Sequence, residues 1–150
     1  MSSSDLCHGY DVSQPDQGYD PSKFKFSGIR PGSIPDFDAD GNTSESLKEE
    51  IIGLENAVVN QAEITAGTPL VYYHGRFYYD LNDNGLVDDN ETGRSNRYVI
   101  TDARLLKAAY NMRLTYSEPH AYIHNPFYIA QLFVDTIEHL GGNVSEYTWR

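Results

Sequence analysis

Residues Asp80-Leu-Asn-Asp-Asn-Gly-Leu-Val-Asp-Asp-Asn-Glu91 carry oxygen donors at the spacing a calcium ion requires. A twelve-residue calcium loop takes side-chain oxygens at its first, third and fifth positions, glycine at the sixth, a backbone carbonyl at the seventh and a bidentate carboxylate at the twelfth. Asp80, Asn82, Asn84, Gly85, Leu86 and Glu91 fill those places in order. Asp88, at the ninth, reaches an ion directly or through a water. Gly85 supplies the positive φ that the sharp turn demands, and Val87 is expected to pin the loop to its core. Asn, Asp and Gly also dominate ordinary turns, so the competing expectation is a solvated polar turn.

A second acidic loop lies upstream, at Asp36-Phe-Asp-Ala-Asp-Gly-Asn-Thr-Ser-Glu45. Asp36, Asp38 and Asp40 take the first, third and fifth places, Gly41 the sixth, and the Asn42 carbonyl the seventh. Leu47 at the twelfth cannot ligate; Glu45 closes the shell if the next helix starts early, with Glu49 as the fallback. Three aspartates this close repel one another unless a cation neutralises them. Two calcium ions are therefore expected.

The elements that must position these loops follow from periodicity. Leu47, Ile51, Leu54, Val58 and Ala62 recur at helical spacing, predicting an amphipathic helix over about 44–65, with Ser44 or Ser46 as its cap. The stretch 70–79 is β-prone, with Gly75 at a tight turn, and leads directly into the second loop. A second helix is predicted over about 102–116, capped by Thr101 or Asp102 and ended by Pro119. A third begins after Asn125, with Pro126 in its first turn, and runs to His139 or Leu140 before Gly141-Gly142. Residues 1–35, interrupted by Pro15, Pro21, Pro31 and Pro35, read as an extended arm. The expected fold is mainly α: three helices plus a short β-hairpin or extended segment, a long irregular N-terminal arm, and two calcium loops in one domain over 36–150.

A chain of 150 residues suits one domain, and its net charge of −11 argues against nucleic acid or anionic membrane as a partner. No apolar run is long enough for a transmembrane helix. The N-terminus lacks the basic and apolar regions of a signal peptide. Calcium sites of this kind make sense outside the cytosol, so a mature chain or fragment of an exported protein is expected. The single cysteine excludes an intramolecular disulfide and a four-cysteine zinc site. It lies in Ser4-Asp-Leu-Cys7-His8, a haem-attachment motif in which Ser4 stands where the first of two thiols belongs.

Several stretches together resemble one end of large multihaem c-type cytochromes of metal-reducing and related bacteria. They are Val71-Tyr-Tyr-His-Gly-Arg-Phe-Tyr-Tyr-Asp80 with the loop to Glu91, Ala103-Arg-Leu-Leu-Lys-Ala-Ala-Tyr-Asn111, Ala121-Tyr-Ile-His-Asn125, and Tyr128-Ile-Ala-Gln-Leu-Phe-Val-Asp-Thr-Ile-Glu138. The resemblance covers most of 36–140. It implies a C-terminal domain of an extracytoplasmic electron-transfer protein, located in the periplasm, on the outer surface or outside the cell. His74 and His124 match positions where that family also carries His, and such residues commonly supply a second axial haem ligand. The departure is the incomplete attachment motif: either Cys7 alone forms a thioether, with His8 as proximal ligand of a haem c, or the domain lends histidines to haems held elsewhere. Two neutral imidazoles on iron give a low-spin centre that passes electrons with little rearrangement. Other haem-bearing chains or domains are the implied partners, and the arm is compatible with a homo-oligomer or filament.

His120 and His124, four residues apart, straddle the segment from Pro119 to Pro126, which is expected to be a turn, so a shared metal site is not expected there. His139 sits where a helix end favours a cation. Of the two resemblance-implied ligands, His124 is favoured over His74. No nucleophile elbow, His-Glu-x-x-His or phosphate-binding glycine loop appears, so no enzyme activity is expected. The competing function is an extracellular calcium-dependent structural or adhesion module without haem.

Overall fold

The computed structural model describes Arg30 and residues 34–150. The expected N-terminal arm, with Cys7 and His8, therefore lies almost entirely outside the described residues. From there the chain runs through helix α1 (Leu47–Ala66), strands β1 (Leu70–Tyr73) and β2 (Arg76–Tyr79), a 3-10 turn at Arg94–Asn96, and helices α2 (Ala103–Ser117), α3 (Ala121–His124) and α4 (Pro126–His139). The three long helices and the hairpin are those the sequence predicts. The addition is α3, a single turn where an irregular connection was expected.

Local chemistry sets each boundary. Ser46 caps α1 in a reciprocal box: its side chain accepts from the Glu49 amide at 3.3 Å, and its own amide donates to Glu49 Oε2 at 2.8 Å. Gly67, at φ 69°, takes the left-handed conformation that ends the helix. Asp102 caps α2 through the Arg104 amide. Asn125 caps α4 through the Tyr128 amide, with Pro126 in the first turn, where its missing N–H costs nothing.

Helices α1, α2 and α4 pack on one another, and the hairpin lies against α1. Leu54, Val58, Leu105, Phe133 and Val134 are wholly buried between them. Asn111 Nδ2 donates to the buried Thr136 hydroxyl at 2.9 Å, which in turn donates to the Leu132 carbonyl, so the α2–α4 seam holds no orphaned polar atom there. The two strands pair antiparallel, from Leu70 opposite Tyr79 to Tyr73 opposite Arg76. Their two-residue turn is His74-Gly75 with φ of 48° and 82°, the positive pair that matches strand twist. After the second acidic loop the chain returns beside β2: Tyr98 N–H donates to the Phe77 carbonyl at 3.0 Å, and Tyr78 bridges Arg97.

At the other end, Phe37 is fully buried against Phe127 and Trp149, with edge-to-face centroid distances of 5.2 and 5.0 Å. Trp149 Nε1 donates to the Phe37 carbonyl at 2.9 Å. The C-terminal residues thereby hold the first acidic loop to the core.

Phe133→Ala is expected to cost about 3–5 kcal/mol by truncating a wholly buried ring. Tyr128→Ala, on the exposed side of the same helix, is expected to change stability by about 0.5 kcal/mol or less. Urea unfolding of the two variants measures the difference, and equal losses would contradict this packing.

Candidate cation loops and the histidine grooves

The two acidic loops share one backbone design. Their fourth positions, Ala39 and Asp83, have φ of 61° and 57°, and their sixth, Gly41 and Gly85, have φ of 89° and 70°. The first-position carboxylate accepts from the sixth-position amide in both: Gly41 N to Asp36 Oδ2 at 2.9 Å, and Gly85 N to Asp80 Oδ2 at 2.8 Å. The second-position amide donates to a wholly buried glutamate in both: Leu81 N to Glu91 Oε1 at 2.7 Å, and Phe37 N to Glu50 Oε2 at 2.7 Å.

That last correspondence identifies a residue the sequence reading missed. Glu50 is the counterpart of Glu91, displaced three residues because the first turn of α1 intervenes. It occupies the buried stripe of α1 between Leu47 and Leu54, and a carboxylate on an otherwise apolar stripe is the signal that could have found it. Glu49, the fallback, is committed to the Ser46 cap. Glu45 stays beside the site: oxygens of Asp38, Glu45 and Glu50 lie within 4.8 Å of one another, as do those of Asp36, Asp38 and Asp40. Asn42 Nδ2 donates to Glu45 Oε1 at 3.0 Å, and the Asn42 amide donates to Asp40 Oδ1. Among the described residues, Asp36 Oδ1 is buried with no hydrogen-bond partner. The Arg30 guanidinium ion-pairs with Glu50 and donates to the Glu45 carbonyl at 2.6 Å.

Asp38 rests on Gly53 of α1, where an added Cβ would lie 1.7 Å from Asp38 Oδ2. Glycine in mid-helix costs about 0.5–1 kcal/mol relative to alanine, and here it makes room for that carboxylate. Burial, reinforced by the charges of Asp40 and Glu50 and by Asp36, raises the Asp38 carboxyl from its ordinary range to about 7.

In the second loop Asp80 is buried, and that burial would raise its carboxyl. Backbone amides of Gly85, Asp83, Asn84 and Asn82 outweigh it and hold the group below its ordinary value. Asp88 Oδ2 accepts from Asn82 Nδ2 at 2.8 Å and Asn84 Nδ2 at 3.1 Å, so the side chains of the third, fifth and ninth positions meet through hydrogen bonds. The Leu86 amide donates to Asn84 Oδ1 at 2.7 Å. Asn96 Nδ2 closes the loop's base, donating to the Tyr79 and Glu91 carbonyls at 2.7 and 2.8 Å. Val87 does not pin this loop; it is 43% exposed. The anchoring falls to Glu91 and Asn96.

The hairpin turn presents His74 at the meeting of two grooves. One, of about 390 Å³, is walled by Tyr72, Tyr73, Tyr116 and Tyr122 and contains Glu55, whose carboxyl is raised by burial and hydrogen-bonded to Thr115. The other, of about 340 Å³, lies between the hairpin and α2. The His74 ring stacks on Tyr73 at 3.8 Å and leans against Tyr116 at 4.7 Å. Neither ring nitrogen hydrogen-bonds to a described residue. His124, at the end of α3, is exposed, lies 3.9 Å from Glu118 and lines neither groove. His120 immediately precedes α3, so it and His124 flank a helical turn rather than an irregular one.

Part of the chain is similar to two C-type polyheme cytochromes of Geobacter sulfurreducens. It is 32% identical to OmcC and 34% identical to OmcB over 83 residues, covering 49% of this chain and 11% of either relative. The matched part thus spans about a tenth of these relatives' length. No family model matches, and no solved structure matches.

Without divalent cations, folded Asp38 binds its proton more tightly than the unfolded chain does. Its contribution to stability is present at acid pH and is lost as pH rises through about 7. In chelator, the melting temperature is therefore expected to fall across this window, and Asp38→Asn to flatten part of that fall. An unchanged slope in the variant would contradict the assignment.

Proposed function

We propose that this chain is an electron-transfer module related to multihaem c-type cytochromes, stabilised by calcium at both acidic loops and completing a haem site through His74. The similarity to the polyheme cytochromes OmcC and OmcB is the observation that carries this reading. We place no catalysis in the module. Its setting is extracytoplasmic, and its partners are haem-bearing chains or domains.

The residues fit both groups. For calcium, the first loop gathers carboxylate oxygens of Asp36, Asp38 and Asp40, and of Asp38, Glu45 and Glu50, within 4.8 Å of one another, while the second offers Asp80, Asn82, Asn84, Asp88 and Glu91 at the spacing of a calcium loop. Asp36 Oδ1 is a buried acceptor without a partner among the described residues, and a cation would satisfy it. For haem, His74 offers ring nitrogens unengaged by described residues, beside tyrosine-walled grooves of ligand size. Haem would supply one-electron transfer; the chain would orient the His74 imidazole by stacking it on Tyr73 and leaning it against Tyr116. His124, the sequence-favoured ligand, is the alternative, and Cys7 and His8 are the candidates for a covalent attachment outside the described residues. A filament or homo-oligomer built through the N-terminal arm belongs to the same proposal.

A second reading, a calcium-dependent structural module outside the cell without haem, is favoured by the way both loops are tied to the core independently of any histidine.

Saturating calcium, at about 100 times its dissociation constant, is expected to add about 2.7 kcal/mol per site. Asp80→Ala should abolish one such increment in melting temperature. Asp89→Ala should leave it intact, since the Asp89 side chain is exposed and makes no hydrogen bond to a described residue. Equal effects of the two substitutions would refute the ligand set.

For haem, the intact chain produced in cells that mature c-type cytochromes is expected either to gain the mass of one haem or to take up added haem with a sharp low-spin Soret band. His74→Ala should lose that band. A colourless chain that binds no added haem would leave the structural module as the function.

A further inference from the structure

The groove between the hairpin and α2 carries a feature that iron ligation by His74 does not use. Its lining includes Arg76, Arg113, Tyr98, Tyr110 and Leu106, and His74 stands on its edge. Arg76 and Arg113 are exposed, and among the described residues neither forms an ion pair or a hydrogen bond. The other arginines with carboxylates in reach are all engaged: Arg30 with Glu50, Arg104 with Asp102, and Arg150 with Asp135 and Glu138. In a chain of net charge −11, two guanidiniums lining one groove without an acid between them form an electropositive spot in an acidic surface.

The placement of Arg113 is built into the turn. A Cβ at Gly75 would lie 3.4 Å from Arg113 Cγ and Cδ, so the aliphatic stem lies across the glycine and the guanidinium continues beyond it. Tyr110, one helical turn earlier, is 78% exposed, and Leu106, a further turn back, is 60% exposed. An aromatic ring, an apolar side chain and two guanidiniums thus border one slot. Guanidinium forks recognise carboxylates through paired N–H donors, while aromatic and aliphatic walls favour a flat apolar body.

We infer that this groove seats the edge of a flat ring system bearing carboxylates, with Arg76 and Arg113 holding the carboxylates and Tyr110 and Leu106 covering the ring. The inference rests on the haem reading for the identity of the ring, since His74 on the groove's edge places a metal ligand beside the arginine clamp. It assigns Arg76 and Arg113 a positioning role toward the ring's acidic edge and none toward the metal.

The test uses metal-free protoporphyrin IX, a dicarboxylate without iron, and its dimethyl ester, followed by porphyrin fluorescence anisotropy with the calcium-saturated chain. The diacid is expected to bind, the ester to bind about tenfold or more weakly, and Arg76→Gln and Arg113→Gln each to weaken the diacid about tenfold while leaving the ester unaffected. Both substitutions are at exposed positions, and unchanged circular dichroism and melting temperature confirm folding. Diacid binding that survives the double substitution, an ester bound as tightly as the diacid, or no diacid binding at all would overturn the inference. Iron ligation is read separately, from the low-spin Soret band of added haem and its loss in His74→Ala. A band lost in His74→Ala but unmoved by the arginine substitutions, with diacid binding equally unmoved, removes the clamp and leaves the haem reading. An arginine-dependent diacid with no low-spin band does the reverse.

Discussion

A buried carboxylate accepting the second amide of an acidic loop is the contact around which this protein is arranged. Glu50 and Glu91 are both inaccessible to solvent, and a buried charge is stable only when its oxygens are engaged. Each meets part of that demand by gripping the loop it belongs to, through Phe37 N or Leu81 N, and Glu50 is also ion-paired with Arg30. The grip is reciprocal. The loop satisfies the carboxylate, and the carboxylate fixes the loop against α1 or against the base of β2.

The consequences run outward from these two contacts. Phe37, held by Glu50, inserts its ring between Phe127 and Trp149, so the first loop joins α1, α4 and the C-terminal residues. Glu91, together with Asn96, ties the second loop to the end of β2. That strand begins two residues after His74, so the orientation of the imidazole depends on a four-residue strand anchored at the cation loop. A divalent ion shared among the aspartates would offset the burial, and the repulsion that adds to it, which push Asp38 toward neutrality. It would also stiffen the base on which the hairpin and its two grooves stand. The second acidic loop and the histidine turn thus belong to one mechanical unit, joined by β2.

Much of this was legible in the sequence where local chemistry decides structure. Ser46, Asp102 and Asn125-Pro126 set helix starts that tertiary contacts merely accept, and the apolar spacing of α1 names every residue of its buried face except Glu50. The second loop was legible because its pattern is contiguous. The first was legible only in part. Counting to the twelfth position finds Leu47, whereas the chain closes the loop through a helical turn, bringing Glu50 to the place that counting cannot reach. Val87 misled because an apolar residue at the eighth position was expected to reach the core, whereas Glu91 and Asn96 hold this loop and leave Val87 43% exposed. The pairing of Trp149 with Phe37 spans most of the chain, and no local signal announces it. Cys7 and His8 lie outside the described residues.

The central claim, that two cation loops closed by Glu50 and Glu91 organise the molecule, is tested most directly by counting ions. Isothermal titration of the chelator-stripped chain with calcium is predicted to give two ions per chain, falling to one in Glu50→Gln and to one in Glu91→Gln. A stoichiometry of zero in the parent chain, or of two that survives both substitutions, would contradict it.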